Sequence, residues 1–592
     1  MQRFNLQIFQ RFWTIAKTYW FSNEKWKARG LLLVTVLLLL AYTGLSVVLN
    51  SQRGELISAL SAKNESRFWQ TVTIFIGVLV VYAPLLAGYT YLRDRLSLAW
   101  RRWLTTDFIG RYFADRAFYQ INQFNPDIDN PDQRIAEDVK NFTQESLTLA
   151  LVLSDSVLEI IAFSGVLLGI SRELVLFLLG YAIIGTLATV GVFGQPLVRL
   201  NFEQLKREAN FRFSLVRVRE NAEAIAFYQG EAQESTQVNN RFMAAFDNYK
   251  RLLGWELGLN GLTNAYEFIP FILPALVVAP GIFSGDIEVG KVSEAQGAFI
   301  RVFFSLNLIV ARFQSLTAFG AGIDRLYDFA ASLGHVEPDE ESEQKLEEKL
   351  EEKLEGASEE TALTEIKDNR LQPVISRESS SELILQNLTL QTPNYQRTLI
   401  EDLSITLDTQ SSLLVVGPSG CGKSSLMRAI AGLWNSGTGI IQRPDLENLL
   451  FLPQKPYMIL GSLRQQLLYP YPDIELDDAQ LKTALQQVNL IDLDERFGGF
   501  DAEEEWGDVL SLGEQQRLSF ARVLLHQPTY TILDEATSAL DRDNEKQLYT
   551  HLAATNTAYL SVGHRKSLEA YHQSMLRLAE DHTWQVEPLA VP

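Results

Sequence analysis

LLVVGPSGCGKSS, residues 413–425, runs from four β-forming residues into a glycine-rich loop and then into residues suited to start a helix. That order of strand, loop and helix is what a phosphate cradle requires. Gly417, Gly420 and Gly422 let backbone N–H groups approach phosphate oxygens, with Pro418, Ser419, Cys421 and Ser425 completing the loop. Lys423 supplies a point charge for the β and γ phosphates, and Ser424 offers a hydroxyl to Mg²⁺. Cys421 has no evident His partner and reads as a filler of the loop. A second β-forming run, residues 529–533, ends in Asp534 and Glu535. Two carboxylates at the end of a strand suit a metal ligand followed by a group that orients or deprotonates water. The C-terminal part is therefore expected to be an α/β nucleotide-binding domain.

Working outward toward the N-terminus, the composition changes. The chain has 592 residues, 47% of them hydrophobic, and its mean hydropathy of −0.01 averages a lipid-soluble front with a polar back. Residues 30–49 carry no charge and are long enough, at about 1.5 Å per residue, to cross a hydrocarbon core of about 30 Å. The run begins too late and is too long for the apolar part of a signal peptide, so it is expected to persist in the mature protein. Further apolar windows at 68–92, 147–170, 174–198, 264–283 and 295–313 bring the expectation to six spans. Lys25, Lys27 and Arg29 precede the first span, Arg93, Arg95, Arg101 and Arg102 follow the second, and Arg199, Lys206, Arg207, Arg212, Arg217 and Arg219 lie between the fourth and fifth. The positive-inside rule places these flanks, the N-terminus and the nucleotide-binding domain in the cytoplasm. Before the first span, Ile8, Phe9, Phe12, Trp13, Ala16, Tyr19 and Trp20 recur at helical spacing beside Arg11 and Lys17, as in an amphipathic helix on the inner leaflet.

Charge narrows the function classes. The formal net charge of −20 and pI of 4.9 argue against nucleic-acid binding, which needs surplus Lys and Arg. A single cysteine excludes intrachain disulfides and cysteine-based zinc sites. The acidity is local: residues 337–360 hold twelve acids and three lysines. Their repeat KLEEKLEEKLE has a period of four and so lacks the 3.5-residue seam of a coiled coil. This reads as a solvated tether. The expected organisation is a transmembrane domain over 1–330, an acidic linker over 331–380 and an ATP-binding domain over 381–592.

LSLGEQ at 510–515, just upstream of the Asp534–Glu535 strand, resembles the signature motif of ATP-binding cassette (ABC) transporters. By that resemblance Gln454 in LPQKPY matches the Q-loop, SALD at 538–541 the D-loop and His564 in SVGHR the switch histidine. The resemblance implies ATP and Mg²⁺ as cofactors, with Ser424, Gln454 and Asp534 around the metal and Glu535, Gln454 and His564 as the catalytic group. It further implies that Ser511 and Gly513 cap nucleotide across a subunit interface and that Glu514 and Asp541 belong to the nucleotide-binding set. Leu512 stands where many members have glycine, and Thr392 where an adenine-stacking aromatic is usual, which leaves Tyr395 to stack from a shifted position.

The front half resembles the SbmA/BacA-type membrane domain in YWFSNEKWKARGLLL, residues 19–33, and DNPDQRI, residues 129–135. ENAEAIAFYQGEAQE, with Glu223, Phe227, Tyr228 and Gly230, is similar to the EAA-like coupling motif of ABC subfamily D. That subfamily includes peroxisomal acyl-CoA carriers and lysosomal cobalamin proteins. The implied protein is a half-transporter of exporter-type fold, six spans plus one P-loop domain, working as a homodimer by alternating access in a bacterial inner membrane. Its implied cargo is hydrophilic, such as cobalamin or peptides; acyl-CoA or another lipid amphiphile, or an ATP-gated channel or regulator, are the alternatives. Within the spans, Asp155, Glu159, Glu267 and Arg301 are costly in lipid. They read as the lining of a hydrated cavity or, equally, as interhelical ion pairs or parts of helices that project beyond the bilayer.

Overall fold

Long apolar runs broken by few glycines and prolines become long helices, because helix alone satisfies every backbone group of a spanning segment internally. The computed structural model describes residues 6–124, 131–334, 374–393 and 395–589. The chain divides into two units, Met1–Leu350 and Glu351–Pro592.

The first unit is helical: α1 (Leu6–Trp20), α2 (Lys25–Ser61), α3 (Glu65–Phe113), α4 (Ala117–Phe124), α5 (Pro131–Gln133), α6 (Val139–Ile170), α7 (Arg172–Thr189), α8 (Gln195–Glu220), α9 (Ala222–Tyr228), α10 (Glu231–Phe283), α11 (Gly290–Ala311) and α12 (Phe313–Ser332). Among the described residues, five stretches, Lys25–Ser61, Glu65–Asn122, Pro131–Ile170, Arg172–Glu220 and Glu231–Phe283, are long and apolar enough to cross a membrane. The sixth expected span falls in α11, which is helical but not one of those five. Its Ala295, Ala298, Phe299, Val302 and Phe303 are buried against α6, α7 and α10. At 49 residues α3 is about 74 Å long. It therefore outreaches any hydrocarbon core.

Two close approaches define how these helices meet. Between α2 and α11, a Cβ on Gly290 would lie 2.0 Å from the Gly54 carbonyl oxygen. That proximity lets Gly290 N–H donate to Ser58 Oγ (3.2 Å) and Asn50 Nδ2 donate to the Glu294 carbonyl (2.9 Å), small residues and polar side chains fastening one apolar helix to another. Between α7 and α10, Pro270 has no N–H for the carbonyl of Tyr266 one turn earlier. Tyr181 Oη donates to that carbonyl (2.7 Å) and Tyr266 Oη donates in return to the Tyr181 carbonyl (2.8 Å), the rings stacked at 4.5 Å. A Cβ on Gly185 would meet Tyr266 Cζ at 2.0 Å. Gly185→Ala is thus expected to break the clasp, costing about 1–3 kcal/mol as overpacking. Gly180→Ala on the same helix, with nothing within 4 Å, serves as the control. Thermal melting of the two variants in one detergent checks this; equal midpoints would refute it.

The amphipathic pattern before the first span does form a helix, and protein covers one side of it while Phe9 and Trp13 stay exposed. Ile15, Ala16 and Tyr19 of α1 are buried with Leu96, Trp100 and Leu104 of α3, Phe142 of α6 and Leu326 of α12. Tyr19 stacks on Trp100 at 5.7 Å.

Among the described residues, the second unit contains two sheets. Five parallel strands and an antiparallel edge strand run in the order β10-β9-β4-β8-β7-β6: Trp584–Pro588, Ser574–Leu578, Ser412–Val416, Ala558–Val562, Tyr530–Asp534 and Leu449–Leu452. The other sheet has the order β1-β5-β2-β3: Ser376–Ser379, Gly437–Arg443, Leu383–Gln391 and Thr398–Leu407. SLLVV, YTILD and AYLSV read as continuous rather than alternating apolar runs because both sheet faces are covered. One face carries the core around Leu467, Leu485, Trp506 and Phe520, the other the core around Leu388, Leu403, Leu426 and Ile430.

Candidate ATP site

Parallel order brings the carboxyl ends of β4, β8, β7 and β6 to one edge of the sheet, where ligands bind in open α/β folds. Every catalytic candidate follows one of these strands: Gly417 to Ser425 after β4, Gln454 after β6, Asp534 and Glu535 at the end of β7, His564 after β8. Gly420 (φ 82°) and Gly422 (φ 104°) lie in the left-handed region that favours glycine. A Cβ on Gly422 would also press to 3.1 Å on Leu399 at the start of β3. Lys423 is buried, its Nζ donating to the Gly417 and Pro418 carbonyls at 2.9 and 2.8 Å.

Two side chains converge on one carboxylate. Gln454 Nε2 donates to Glu535 Oε2 (2.8 Å), and His564 Nε2 lies 3.4 Å from Glu535 Oε1. Glu535 has φ 49°, a left-handed conformation that costs a non-glycine residue about 1–3 kcal/mol and is held here by its N–H donating to the Val562 carbonyl (3.1 Å). Beside it, Ser424 Oγ is 3.4 Å from Asp534 Oδ1. Burial pushes the Asp534 carboxyl up, Ser424 opposes this, and the neighbouring Glu535 charge adds to it. A half-buried carboxylate beside a hydroxyl, with a second carboxylate at the next residue, fits a hard cation with oxygen ligands.

The other predicted residues separate into two groups. Ser511 caps the helix Leu512–His526; its Oγ and N–H both donate to Glu514 Oε2 at 2.8 Å, and Arg496 pairs with Glu514 at 2.8 Å. Burial raises the Glu514 carboxyl, but the bonds from Arg496 and Ser511 outweigh it and leave it below the usual range. Gly513 faces the Ala539 carbonyl, and Asp541 caps the helix Arg542–Ala553 through Asn544 N. Hydrogen bonds from Asn544 hold the Asp541 carboxyl low. Among the described residues, the signature residues make no hydrogen bond to the phosphate loop. Tyr395, at φ 56°, sits in the loop that joins β2 to β3, and Leu399 of β3 lies beside Gly422. In the membrane unit, Phe227 and Tyr228 on α9 are 79% and 88% exposed, and Gly230 caps α10. Glu159 is bound by Arg301 Nη1 (2.8 Å) and Ser305 Oγ (2.7 Å), and Thr43 Oγ1 donates to Asp155 (3.2 Å). The side chains of Glu223 and Glu267 lie outside the described residues.

Gln516 and Arg565 escaped the sequence reading. Gln516 is fully buried; its Nε2 donates to the Gln454 carbonyl (3.0 Å) and to Ser538 Oγ (3.1 Å), and its Oε1 accepts from Ala539 N (3.0 Å). One amide thus ties the segment carrying Gln454 to the SALD turn. Arg565 donates to the Leu540 and Ser538 carbonyls at 2.8 and 2.9 Å. An amide on an otherwise apolar helix face beside LSLGE was the available signal. Gln516→Leu is expected to lower ATP turnover about tenfold, since orphaned partners cost about 1–3 kcal/mol. An unchanged rate would refute it.

His572 gives the unit a pH response. Fully buried, with Nδ1 2.7 Å from the Leu568 carbonyl and Nε2 2.8 Å from Ser561 Oγ, it is pushed down to about 4 by burial. An unfolded histidine takes its proton near 6.5, the folded one not until about 4, so stability present above that range is lost as pH falls through it. About 3 kcal/mol is at stake. The melting midpoint should fall between pH 6.5 and 4, and less steeply in His572→Gln.

The family model for ABC transporter transmembrane region 2 matches residues 15–283, and that for ABC transporter matches residues 400–538. ABC transporter D family member 2, chloroplastic, of Arabidopsis thaliana is 38% identical over 98% of this chain and 88% of its own length. The chain is an ABC transporter of subfamily D. An uncharacterized ABC transporter ATP-binding protein of Synechocystis is 43% identical over 96% of this chain and 83% of its own. The lysosomal cobalamin transporter ABCD4 of Mus musculus is 32% identical over 99% and 97%. The transporter is accordingly an integral membrane protein that binds ATP and couples its hydrolysis to transport.

Proposed function

We propose that this transporter works as a homodimer that imports a hydrophilic compound, cobalamin or a peptide, by alternating access. The observation that supports the dimer is that, among the described residues, Ser511 and Glu514 bond each other while Lys423 bonds Gly417 and Pro418, with no hydrogen bond from the signature residues to the phosphate loop. A nucleotide held by Gly417, Pro418, Ser419, Gly420, Cys421, Gly422, Lys423, Ser424 and Ser425 is then closed over by Ser511 and Gly513 of a second copy, with Asp541 beside them and Tyr395 on the base. Ser424, Gln454 and Asp534 hold Mg²⁺, which supplies charge neutralisation at the phosphates. Glu535, positioned by Gln454, takes the proton of the attacking water, and His564 steadies the γ-phosphate. Glu223, Phe227, Tyr228 and Gly230 form the docking element that passes closure to the helices, the exposure of the two aromatics supporting that reading.

In this reading the division is 1–330 membrane domain with six spans, 331–380 linker and 381–592 cassette. The protein sits in a bacterial inner membrane among lipid, the N-terminus and cassette cytoplasmic. Asp155, Glu159, Glu267 and Arg301 line the cargo route. The similarity to a cobalamin transporter supports a hydrophilic cargo. ATP hydrolysis in nanodiscs, measured with cobalamin, basic peptides and acyl-CoA, tests it. Stimulation by cobalamin or peptide supports the proposal; stimulation by acyl-CoA alone replaces it with an amphiphile carrier.

A further inference from the structure

Residues 1–30 hold six Lys and Arg and one acid, Glu24, on a chain of net charge −20. Arg11 is paired with Asp324 of α12 at 2.8 Å, and Glu24 with Arg102 of α3 at 3.1 Å. The face of α1 turned away from the protein presents Phe9, Trp13 and Lys17, and it continues past the turn into exposed Phe21, Trp26, Lys27 and Arg29. The Arg29 guanidinium lies 5.0 Å from the Phe21 ring centroid and 5.9 Å from that of Trp26, with one N–H donated to the Trp20 carbonyl (3.1 Å).

We propose that this aromatic and basic collar is a binding site for acidic phospholipid headgroups. Its position decides for lipid: the collar ends at residue 29, and the uncharged run over 30–49 begins at the next residue, so its rings and cations stand at headgroup level. Its charge decides for an acidic headgroup, since the local excess of cations opposes the sign of the whole chain. Arg29 on two aromatic faces is a weakly hydrated cation, fit to exchange water for phosphate oxygens. The opposite face of α1 is locked to α12 by Arg11–Asp324 and by Arg11 over the Tyr327 ring (5.1 Å). A lipid held on the collar therefore bears on α12.

The test is native mass spectrometry of the full-length protein taken from nanodiscs of equal phosphatidylglycerol and phosphatidylcholine. Wild type is expected to retain phosphatidylglycerol preferentially. In Lys25→Gln/Lys27→Gln/Arg29→Gln that preference should fall at least tenfold, at roughly fivefold per removed charge. Phe21→Ser/Trp26→Ser should reduce retention of both lipids. Melting midpoints matching wild type establish that the variants are folded. Equal retention of the two lipids by wild type, or an undiminished preference in the folded triple variant, overturns the proposal.

Discussion

Glu535→Gln is expected to lower steady-state ATP hydrolysis by about 10²–10⁴-fold, the usual contribution of a general base, while ATP binding is retained. The substitution keeps the shape that accepts from Gln454 and meets His564, and it removes the carboxylate that would take a proton from water. The strained backbone at φ 49°, fastened to Val562, carries the replacement to the same place. Retained binding distinguishes this from collapse of the site, so nucleotide affinity should be measured beside the rate. A rate within threefold of wild type would remove Glu535 from the chemistry.

Glu159→Ala should destabilise the membrane unit by about 1–3 kcal/mol, because it removes the charge-assisted hydrogen bonds that Arg301 and Ser305 make to a buried carboxylate. Glu159 is buried in α6, and both of its oxygens are engaged from α11, by Arg301 at 2.8 Å and Ser305 at 2.7 Å. Removing both charges in Glu159→Leu/Arg301→Met should restore most of the loss, since the cost of dehydrating the buried Glu159 carboxylate largely offsets its attraction to Arg301. The double-mutant cycle in melting midpoints isolates the coupling. Additive losses would show that the two side chains act independently.

Much of the cassette was legible because its chemistry is local in sequence. GPSGCGKSS must be glycine-rich wherever a backbone wraps phosphate, and LDE must end a buried strand to hold two carboxylates at a sheet edge. Those constraints act over a few residues, and Gly420, Gly422, Asp534 and Glu535 stand where they require. The apolar runs were legible for a similar reason, since hydrocarbon demands about twenty uncharged residues in a row. The N-terminal amphipathic pattern was legible as a helix but not as to what it meets. Hydrophobic periodicity reports that a face is covered, and lipid or Trp100 covers it equally well.

Position along the chain thus specified two kinds of unit, an ATPase and a helical membrane domain, and the residues proposed for each part of the ATPase chemistry. Folding in three dimensions settled the pairings. Gln454, Glu535 and His564 meet because β6, β7 and β8 are neighbours. Glu159 pairs with Arg301, 142 positions away, because α6 packs on α11. Gln516 joins two loops from a helix belonging to neither. Contacts between residues far apart in sequence leave no period or spacing to read, because a hydrogen bond depends on a distance of about 3 Å in space and is indifferent to the length of chain between donor and acceptor.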